Sequence, residues 1–255
     1  MHRTALTALS FVLLTANPAN AAISAAGDLM FVGYNADGTD DIAFVLLNSY
    51  DAGTIIYFTD NEWNGTAWAD ANETHFQWSS AVSLATGTVI TLSNVGSGTL
   101  TANTGSAVFN ESTGRGLGAS GEGVYAYTGS SYNTATPSFL SAFANSGFTT
   151  VATGLLTGTG LTAGTNATAF ANGADVFAYT GDRTSQTTWG AYAGLTSATA
   201  NWIFEDGSGD QHNNGNAPDV PFDTSAFTIV PEPGSSGFAV LTAASLLCTR
   251  RRRNL

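Results

Sequence analysis

Turn signals interrupt this chain every 8 to 15 residues, which leaves room only for short elements between them. The intervening stretches are rich in Val, Ile, Phe, Tyr and Thr, residues that favour pleated, half-buried strands. Asn-Ala-Asp-Gly at 35–38 and Asn-Gly at 64–65 supply the positive φ of tight turns. The pattern predicts an all-β fold, a β-sandwich of short antiparallel strands with Gly/Thr-rich loops. The predicted strands are 28–34, 41–47, 54–59, 75–78, 87–93, 123–128, 175–179 and 227–230.

Three less regular stretches lie between these strands. The Gly-rich and Thr-rich stretches at 94–121 and 152–169 predict long surface loops or edge strands. Residues 185–195 place large apolar side chains three apart, which fits a short helix, although two glycines within the stretch weaken that interpretation. A loop capped by Trp189 fits the same stretch equally well.

The N-terminal segment 1–21 has the order of a secretory signal peptide. Arg3 precedes an apolar stretch at 5–16, and an Asn-Pro break then leads to the small residues Ala19 and Ala21. We therefore expect an N-terminal signal helix, export by the Sec machinery, and cleavage directly after Ala21 or at the next bond.

The C-terminal segment 231–255 combines a Pro-Glu-Pro motif, an apolar stretch and an arginine cluster, in that order. The 16 residues of the stretch 234–249 would form a hydrophobic helix of about 24 Å, and arginine stems can extend its reach across a membrane core of about 30 Å. Flanking arginines stay on the cytoplasmic side, so the body would lie outside the inner membrane. The motif residues are Pro231, Glu232 and Pro233, and the cluster is Arg250, Arg251, Arg252 and Arg253.

This tail resembles the PEP-CTERM sorting signal of exported proteins of Gram-negative bacteria. The resemblance implies that an exosortase, a membrane-embedded enzyme with a cysteine-type active site, recognises residues 231–233 and cuts near them. It also implies that residues 250–253 act as a stop and orientation signal. The chain then divides into a signal peptide at 1–21, an extracytoplasmic body at 22–230 and a sorting signal with a transmembrane helix at 231–255. A plain C-terminal anchor without processing is the alternative.

The start of the body has a second resemblance. Gly27-Asp28-Leu29, the segment 31–38 and the segment 55–63 are similar to lamin-tail-type β-sandwich modules of secreted bacterial proteins. This resemblance implies a sandwich fold and supplies no catalytic residue.

The body is acidic and nearly free of positive charge. Residues 22–230 contain two arginines, no lysine and 18 carboxylates, a net charge of −16. This balance excludes a basic surface for nucleic acid and makes divalent cations the natural charged partners. The only cysteine is Cys248 in the tail, so no disulfide stabilises the exported body.

Calcium is the best chemical candidate that the motifs offer, and no other cofactor is indicated. The glycine-containing loops at 35–41 and 206–212 place oxygen side chains at alternate positions, an arrangement that suits a hard cation. The candidate ligands are Asp37, Asp41, Asp206 and Asp210. Both loops depart from the EF-hand pattern, and Asn, Asp and Gly also form turns without any metal.

Two other sites are considered around the segment 63–78. Trp63, Trp68 and Trp78 could stack on sugars or could fill a core, and the alternation of Trp78 with Phe76 favours the core. Carboxylates beside these rings, such as Glu62, Asp70 and Glu73, could form the acid pair of a glycoside hydrolase. His75 in the same segment fits an ordinary strand histidine.

These features together predict an exported, non-catalytic β protein of the cell envelope or extracellular matrix. The PEP-CTERM resemblance implies an association with exopolysaccharide and biofilm material. The alternatives are a secreted glycan-active hydrolase that uses carboxylates near residues 63–78, and a calcium-stabilised carbohydrate-binding module.

Overall fold

The computed structural model describes residues 22–69, 73–111 and 114–231. The predicted signal segment 1–21 and the sorting tail from residue 232 onward lie outside the described residues, and so does Asp70. Among the residues that the structure describes, no helix has the length and apolar character needed to cross a membrane.

Short strands make up most of the regular structure in the described residues. The helix α1 spans Trp189–Ser197, and two 3₁₀ turns span Val151–Thr153 and Thr199–Asn201. The strands are β1 Leu29–Asn35, β2 Asp41–Leu46, β3 Ile56–Thr59, β4 His75–Ser79, β5 Val89–Ser93, β6 Thr101–Ala102, β7 Ser106–Phe109, β8 Gly123–Thr128, β9 Ser138–Ala144, β10 Ala167–Ala169, β11 Val176–Tyr179 and β12 Trp202–Glu205.

The strands form two six-stranded sheets, so the prediction of a mostly β fold is confirmed. The first sheet has the order β12-β11-β1-β2-β5-β6, and the second has the order β10-β9-β8-β3-β4-β7. All strand pairs are antiparallel except β9 with β10, which run parallel, so the prediction of antiparallel strands is wrong at that edge. The two strands are joined through the long segment 145–166, and a long connection lets the chain return to the same end of the sheet.

One apolar core lies between the two sheets, as a β-sandwich requires. Every second side chain of a strand faces the same side of its sheet, so alternate apolar residues of both sheets point into this core. Phe58 of β3 and Phe76 of β4 stack in it at 5.3 Å, and Phe44 of β2 packs 5.1 Å from Phe58 across the sheets. Trp78 lies on the same face as Phe76 and is fully buried, as the alternation predicted.

A second apolar layer covers the outer face of the second sheet. Tyr57, Tyr125, Tyr127 and Phe139 point away from the inter-sheet core and pack together with Trp63. A loop is bonded to this layer, because the Trp63 indole N–H donates to the Thr157 carbonyl at 3.0 Å. Both faces of this sheet are therefore apolar around β3, β8 and β9, which explains why these three strands are buried along nearly their whole length.

The structure corrects the strand prediction at one place and adds detail at others. Residues 227–230 are not a strand: they form an extended segment whose amides bond to loop carbonyls rather than to a sheet. The other seven predicted strands are present. The stretches 94–121 and 152–169 do contain the edge strands β6, β7 and β10, as predicted, whereas β9 and β12 were not predicted.

Of the two alternatives for residues 185–195, the structure contains the helix. Thr188 caps α1 and accepts a hydrogen bond from the Ala191 amide at 3.3 Å. A methyl group added at Gly190 or Gly194 would have no atom within 4 Å, so packing does not require glycine at either position. The two glycines therefore only lower the stability of the helix.

Candidate functional site

Carboxylates from both sheets gather around Tyr34 at one end of the two-sheet body, which we call the acidic end. Tyr34 lies near the end of β1, is fully buried, and donates its hydroxyl to the Gly118 carbonyl at 2.6 Å. Burial raises the pKa of Tyr34 well above its ordinary value, and the carboxylates of Glu122, Asp60, Asp40 and Asp175 raise it further. The acidic end consists of Asp37, Asp40, Asp60, Glu62, Glu73, Glu122, Asp175 and Asp206.

The second sheet contributes three of these carboxylates from neighbouring strands. Asp60 follows β3, Glu73 lies before β4 and Glu122 directly precedes β8, and β3 pairs with both of the other strands. Adjacent antiparallel strands bring these positions to the same edge. Asp60 is only 2% exposed, and its Oδ1 atom has no hydrogen-bond partner in the described residues.

Two of these groups hold their protons unusually tightly. Burial raises the pKa of Asp60 well above its usual range, and Glu122 and Glu73 add to the effect. Burial likewise raises the pKa of Glu122 to about 8, although its carboxylate accepts hydrogen bonds from the amides of Gly118 at 2.9 Å and Gly123 at 3.1 Å. These amides favour the charged form, but the cost of desolvation is larger.

The loop 114–121 closes the acidic end by bonding to several of its residues. The Leu117 amide donates to Asp40 Oδ2 at 2.7 Å, and the Thr74 hydroxyl donates to the Gly114 carbonyl at 2.6 Å. Burial raises the pKa of Asp40 to about 6, although the bond from Leu117 lowers it. The buried carboxyls thus also serve as anchors for a glycine-rich loop.

The first sheet contributes Asp37, Asp175 and Asp206. They follow β1, precede β11 and follow β12, respectively, and these three strands are neighbours in the sheet. Asp37 Oδ2 accepts a hydrogen bond from the Gln211 amide, and Asp175 Oδ2 accepts one from the Gly207 amide at 3.4 Å. Burial raises the pKa of Asp175, with further contributions from Asp206 and Asp37.

The structure gives the four predicted calcium ligands different partners. Asp37 and Asp206 belong to the acidic end, whereas Asp41 Oδ2 accepts hydrogen bonds from Asn35 Nδ2 and from the Thr39 hydroxyl, both at 2.9 Å. Asp210 Oδ1 contacts His212 Nδ1. Within the described residues, no three Asp, Glu, His or Cys side chains converge as metal ligands. Calcium binding by these four residues stays a prediction.

Sequence reasoning did not select Asp60, Glu122 or Asp175. Asp60 and Glu122 lie directly beside the predicted strands 54–59 and 123–128, and Asp175 is the first residue of the predicted strand 175–179. Carboxylates at strand ends were the available signal, but the order of strands in the sheets is needed to bring those ends together.

The three tryptophans do not form a shared sugar-stacking surface. Trp78 lies between the sheets, whereas Trp63 belongs to the outer layer and Trp68 packs against that layer half-buried. The indole N–H of Trp68 donates to the Thr134 carbonyl at 3.2 Å, and that of Trp78 donates to the Thr104 carbonyl at 2.7 Å. These rings therefore fill apolar layers, as the alternation favoured for Trp78.

His75 lies in the outer layer as a buried strand residue. Its ring is 5.4 Å from Tyr132 and 6.2 Å from Trp68, and its Nε2 atom is 3.4 Å from the Thr59 hydroxyl. Burial lowers the pKa of His75 to about 4, so the ring is neutral at physiological pH. These surroundings fit a structural strand histidine.

Comparison with protein-family models, with curated proteins and with solved structures gives no match for this chain.

Proposed function

We propose that this chain is an exported, non-catalytic β-sandwich protein of the cell envelope or extracellular matrix. In this proposal the Sec machinery exports it, an exosortase processes its PEP-CTERM tail, and the mature body associates with exopolysaccharide. The observation that carries the proposal is the way the body ends: the chain is bonded to the body as far as Val230, and the sorting motif begins at the next residue.

A short strap, residues 222–230, makes this attachment. The Phe227 side chain is 1% exposed, and its amide donates to the Gly87 carbonyl at 2.9 Å. The Thr228 amide donates to the Arg183 carbonyl at 2.8 Å, and the Val230 amide donates to the Gln186 carbonyl at 2.8 Å. Pro231 is exposed. A processing enzyme would therefore meet the motif directly outside the folded body.

The charge of the body supports a matrix protein rather than a nucleic-acid or anionic-membrane partner. Its two arginines are both engaged within the body, because Arg183 pairs with Asp223 at 3.5 Å and Arg115 stacks on Phe109 at 3.8 Å. A body with net charge −16 repels polyanions. Neutral or cation-bridged polysaccharide is compatible with it.

The sorting step is tested by a Glu232→Ala variant expressed in an exosortase-containing Gram-negative host. Losing the motif carboxylate should leave a longer form that fractionates with the inner membrane, whereas Asp51→Ala, on an exposed turn, should be processed like the original chain. Immunoblots of membrane and released fractions give the readout. Normal processing of Glu232→Ala would contradict the proposal.

A second candidate is a secreted glycan-active hydrolase, which the convergence of Asp60, Glu73 and Glu122 favours. Glu122, whose pKa is raised to about 8, would hold the proton that a general acid needs, and a neighbouring carboxylate would complete the pair.

This candidate predicts release of reducing ends from a panel of polysaccharides by the original chain. Glu122→Gln should lower the rate of this release at least about a hundredfold, because general acid catalysis accelerates a reaction by about 10²–10⁴. Asp51→Asn, which removes one exposed charge, is the matched control. No release by the original chain contradicts the hydrolase candidate and leaves the matrix proposal as it stands.

A further inference from the structure

We propose that Asn64 is a self-modification site, at which the backbone nitrogen of Gly65 attacks the side-chain amide and converts the residue to aspartate or isoaspartate. The chain contains three Asn-Gly pairs, at 64–65, 172–173 and 214–215, and all three asparagines are exposed. The hydrogen bonds of the folded chain favour the reaction at the first pair and disfavour it at the other two. The proposal is independent of the sorting of the tail.

The reaction closes a five-membered ring and consumes only water. Hydroxide removes the proton of the Gly65 amide, the nitrogen forms a bond to Cγ of Asn64, and the developing negative charge falls on Oδ1. The bond from Cγ to Nδ2 then breaks, and this nitrogen takes up a proton from water and leaves as ammonia. Water adds to either carbonyl of the succinimide ring and opens it. Donors to Oδ1 and a free amide on the next residue therefore decide where the ring closes.

Three donors surround Oδ1 of Asn64. It accepts hydrogen bonds from the Thr66 amide, the Thr66 hydroxyl and the Ala67 amide, each at 3.0 Å. Hydrogen bonds to a charged oxygen are stronger than bonds to a neutral one, so these donors stabilise the oxyanion of the transition state more than the starting amide. The turn thus forms an oxyanion hole around a side-chain carbonyl of its own.

The attacking group is free as well. Among the residues that the structure describes, none accepts a hydrogen bond from the Gly65 amide, so its proton can be removed without breaking a bond. Gly65 has no side chain to obstruct the approach, and its φ of 103° is one that glycine adopts at little cost. The first Asn-Gly pair therefore combines an unbonded nucleophile with a polarised carbonyl.

The pair at 172–173 has neither feature. The Gly173 amide donates to the Asn145 carbonyl at 2.9 Å, so the nucleophile must first give up this bond. Within the described part of the chain, no group donates to Oδ1 of Asn172. Ring closure at this pair would develop charge on an oxygen that only solvent stabilises.

The pair at 214–215 is held by hydrogen bonds at both reacting groups. The Gly215 amide donates to Asp219 Oδ2 at 3.1 Å, and the leaving nitrogen of Asn214 donates to Glu205 Oε1 at 2.8 Å. Oδ1 of Asn214 has one donor in the described residues, the Asn216 amide at 2.8 Å. Both the attack and the departure of ammonia would break a bond to a carboxylate here.

Modification of Asn64 alters a turn that lies on the outer layer. The turn joins Trp63 to Trp68, which form a bridge and place their rings 5.1 Å apart, and the Trp63 carbonyl accepts a bond from the Leu155 amide at 2.8 Å. Isoaspartate lengthens the main chain by one carbon and moves the acceptor at the centre of the turn. Either product also adds one negative charge. We therefore expect the turn to loosen as the protein ages.

The test is deamidation of the full chain in detergent, kept in mildly alkaline buffer and then digested with pepsin at acidic pH, where the ring does not close. Mass spectrometry follows the exchange of ammonia for water in each peptide. We expect Asn64 to react at least about tenfold faster than Asn172 and Asn214, because its nucleophile is free and its oxyanion is stabilised. In urea the three rates should agree within about threefold, because the turns are lost.

Thr66→Val removes the hydroxyl donor and keeps the side-chain volume. It should slow the reaction of folded Asn64 at least about threefold, because one hydrogen bond to the oxyanion is lost, and leave the rate in urea unchanged. Thr184→Val, which removes an exposed hydroxyl from another loop, should change neither rate. Circular dichroism checks folding, and the comparison of the folded original chain with the chain in urea requires no variant.

Three results would overturn the proposal. The first is equal rates for the three asparagines in the folded chain, or a preference for Asn64 that urea leaves intact. The second is aspartate as the sole product, which indicates direct hydrolysis by water rather than ring closure. The third is an unchanged rate in folded Thr66→Val, which would show that the donors do not act on the oxyanion.

Discussion

At the scale of single residues, Trp78 is the side chain on which the core depends most. It is fully buried, its ring is 5.5 Å from Phe44 and 4.9 Å from Tyr50, and its N–H is bonded to a carbonyl. Trp78→Ala leaves both a cavity and an unpaired carbonyl, so we expect a loss of about 3–5 kcal/mol in unfolding free energy. Val82→Ala, at a side chain 62% exposed, should change it by less than about 0.5 kcal/mol. Urea denaturation measures both, and equal effects would contradict this account of the core.

Glu122 predicts an unusual dependence of stability on pH. Its pKa is about 8 in the folded protein against 4.5 for a free side chain, so the folded state keeps a proton that the unfolded chain has lost. The stability that Glu122 contributes must then fall as pH rises from about 4.5 to about 8 and level off above that, and Asp60, whose pKa is also raised, acts in the same direction. From about pH 6.5 to about pH 8.5 we expect a loss of about 2 kcal/mol in unfolding free energy from Glu122, measured as a lower melting temperature.

The control for this prediction is Glu122→Gln, which cannot ionise at position 122 and should reduce the pH dependence to the part that Asp60 contributes. His75 does not interfere, because its pKa is lowered: its contribution is present above pH 6.5 and is lost only as pH falls toward 4. The neighbours that face Glu122, namely Asp60, Glu62 and Glu73, remain in the variant. A melting temperature of the original chain that is equal at both pH values would contradict the assigned state of Glu122.

At the scale of elements, the ring of Phe227 holds the last residues of the strap, 227–230, to the body. Phe227 stacks 5.8 Å from Tyr179 and packs edge-on against Tyr192 at 5.0 Å, while Arg183 lies 5.0 Å above its ring. Phe227→Ala should release residues 227–230 and leave both sheets folded, because no strand of the described residues pairs with this segment. Hydrogen exchange should then lose protection at the amides of residues 227–230 by at least about tenfold, whereas Val230→Ala, at an exposed side chain, should retain it. Protection that persists in Phe227→Ala would show that the backbone bonds alone hold the strap.

The strands and the strap also show which elements can be predicted from the sequence and which cannot. Strand 75–79 was predictable because Phe76 and Trp78 alternate with more polar residues, whereas β12 is only four residues long and follows a helix without a clear turn signal. Segment 227–230 has the composition of a strand, but its amides find loop carbonyls instead of a ladder. Composition indicates which residues suit burial. Whether they form a paired strand, an edge strand or an unpaired extended segment depends on their tertiary contacts.

The same limit applies to the candidate site. Asp37 and Asp206 were selected from their loops, but Asp175 becomes relevant only once β1, β11 and β12 are known to be neighbours. The pairing of Asp41 with Asn35 is equally a tertiary fact, and no spacing rule distinguishes a carboxylate that anchors a turn from one that lies among other carboxylates.

At the scale of the whole molecule, we propose that the chain consists of an acidic two-sheet body and cationic ends that serve export. Mass spectrometry of the protein recovered outside the inner membrane of an exosortase-containing host tests this division most directly. The account predicts a chain that begins at residue 22 or 23 and ends close to residues 231–233, together with any group attached during sorting. Recovery of the intact 255-residue chain of 26.2 kDa from that fraction would contradict it.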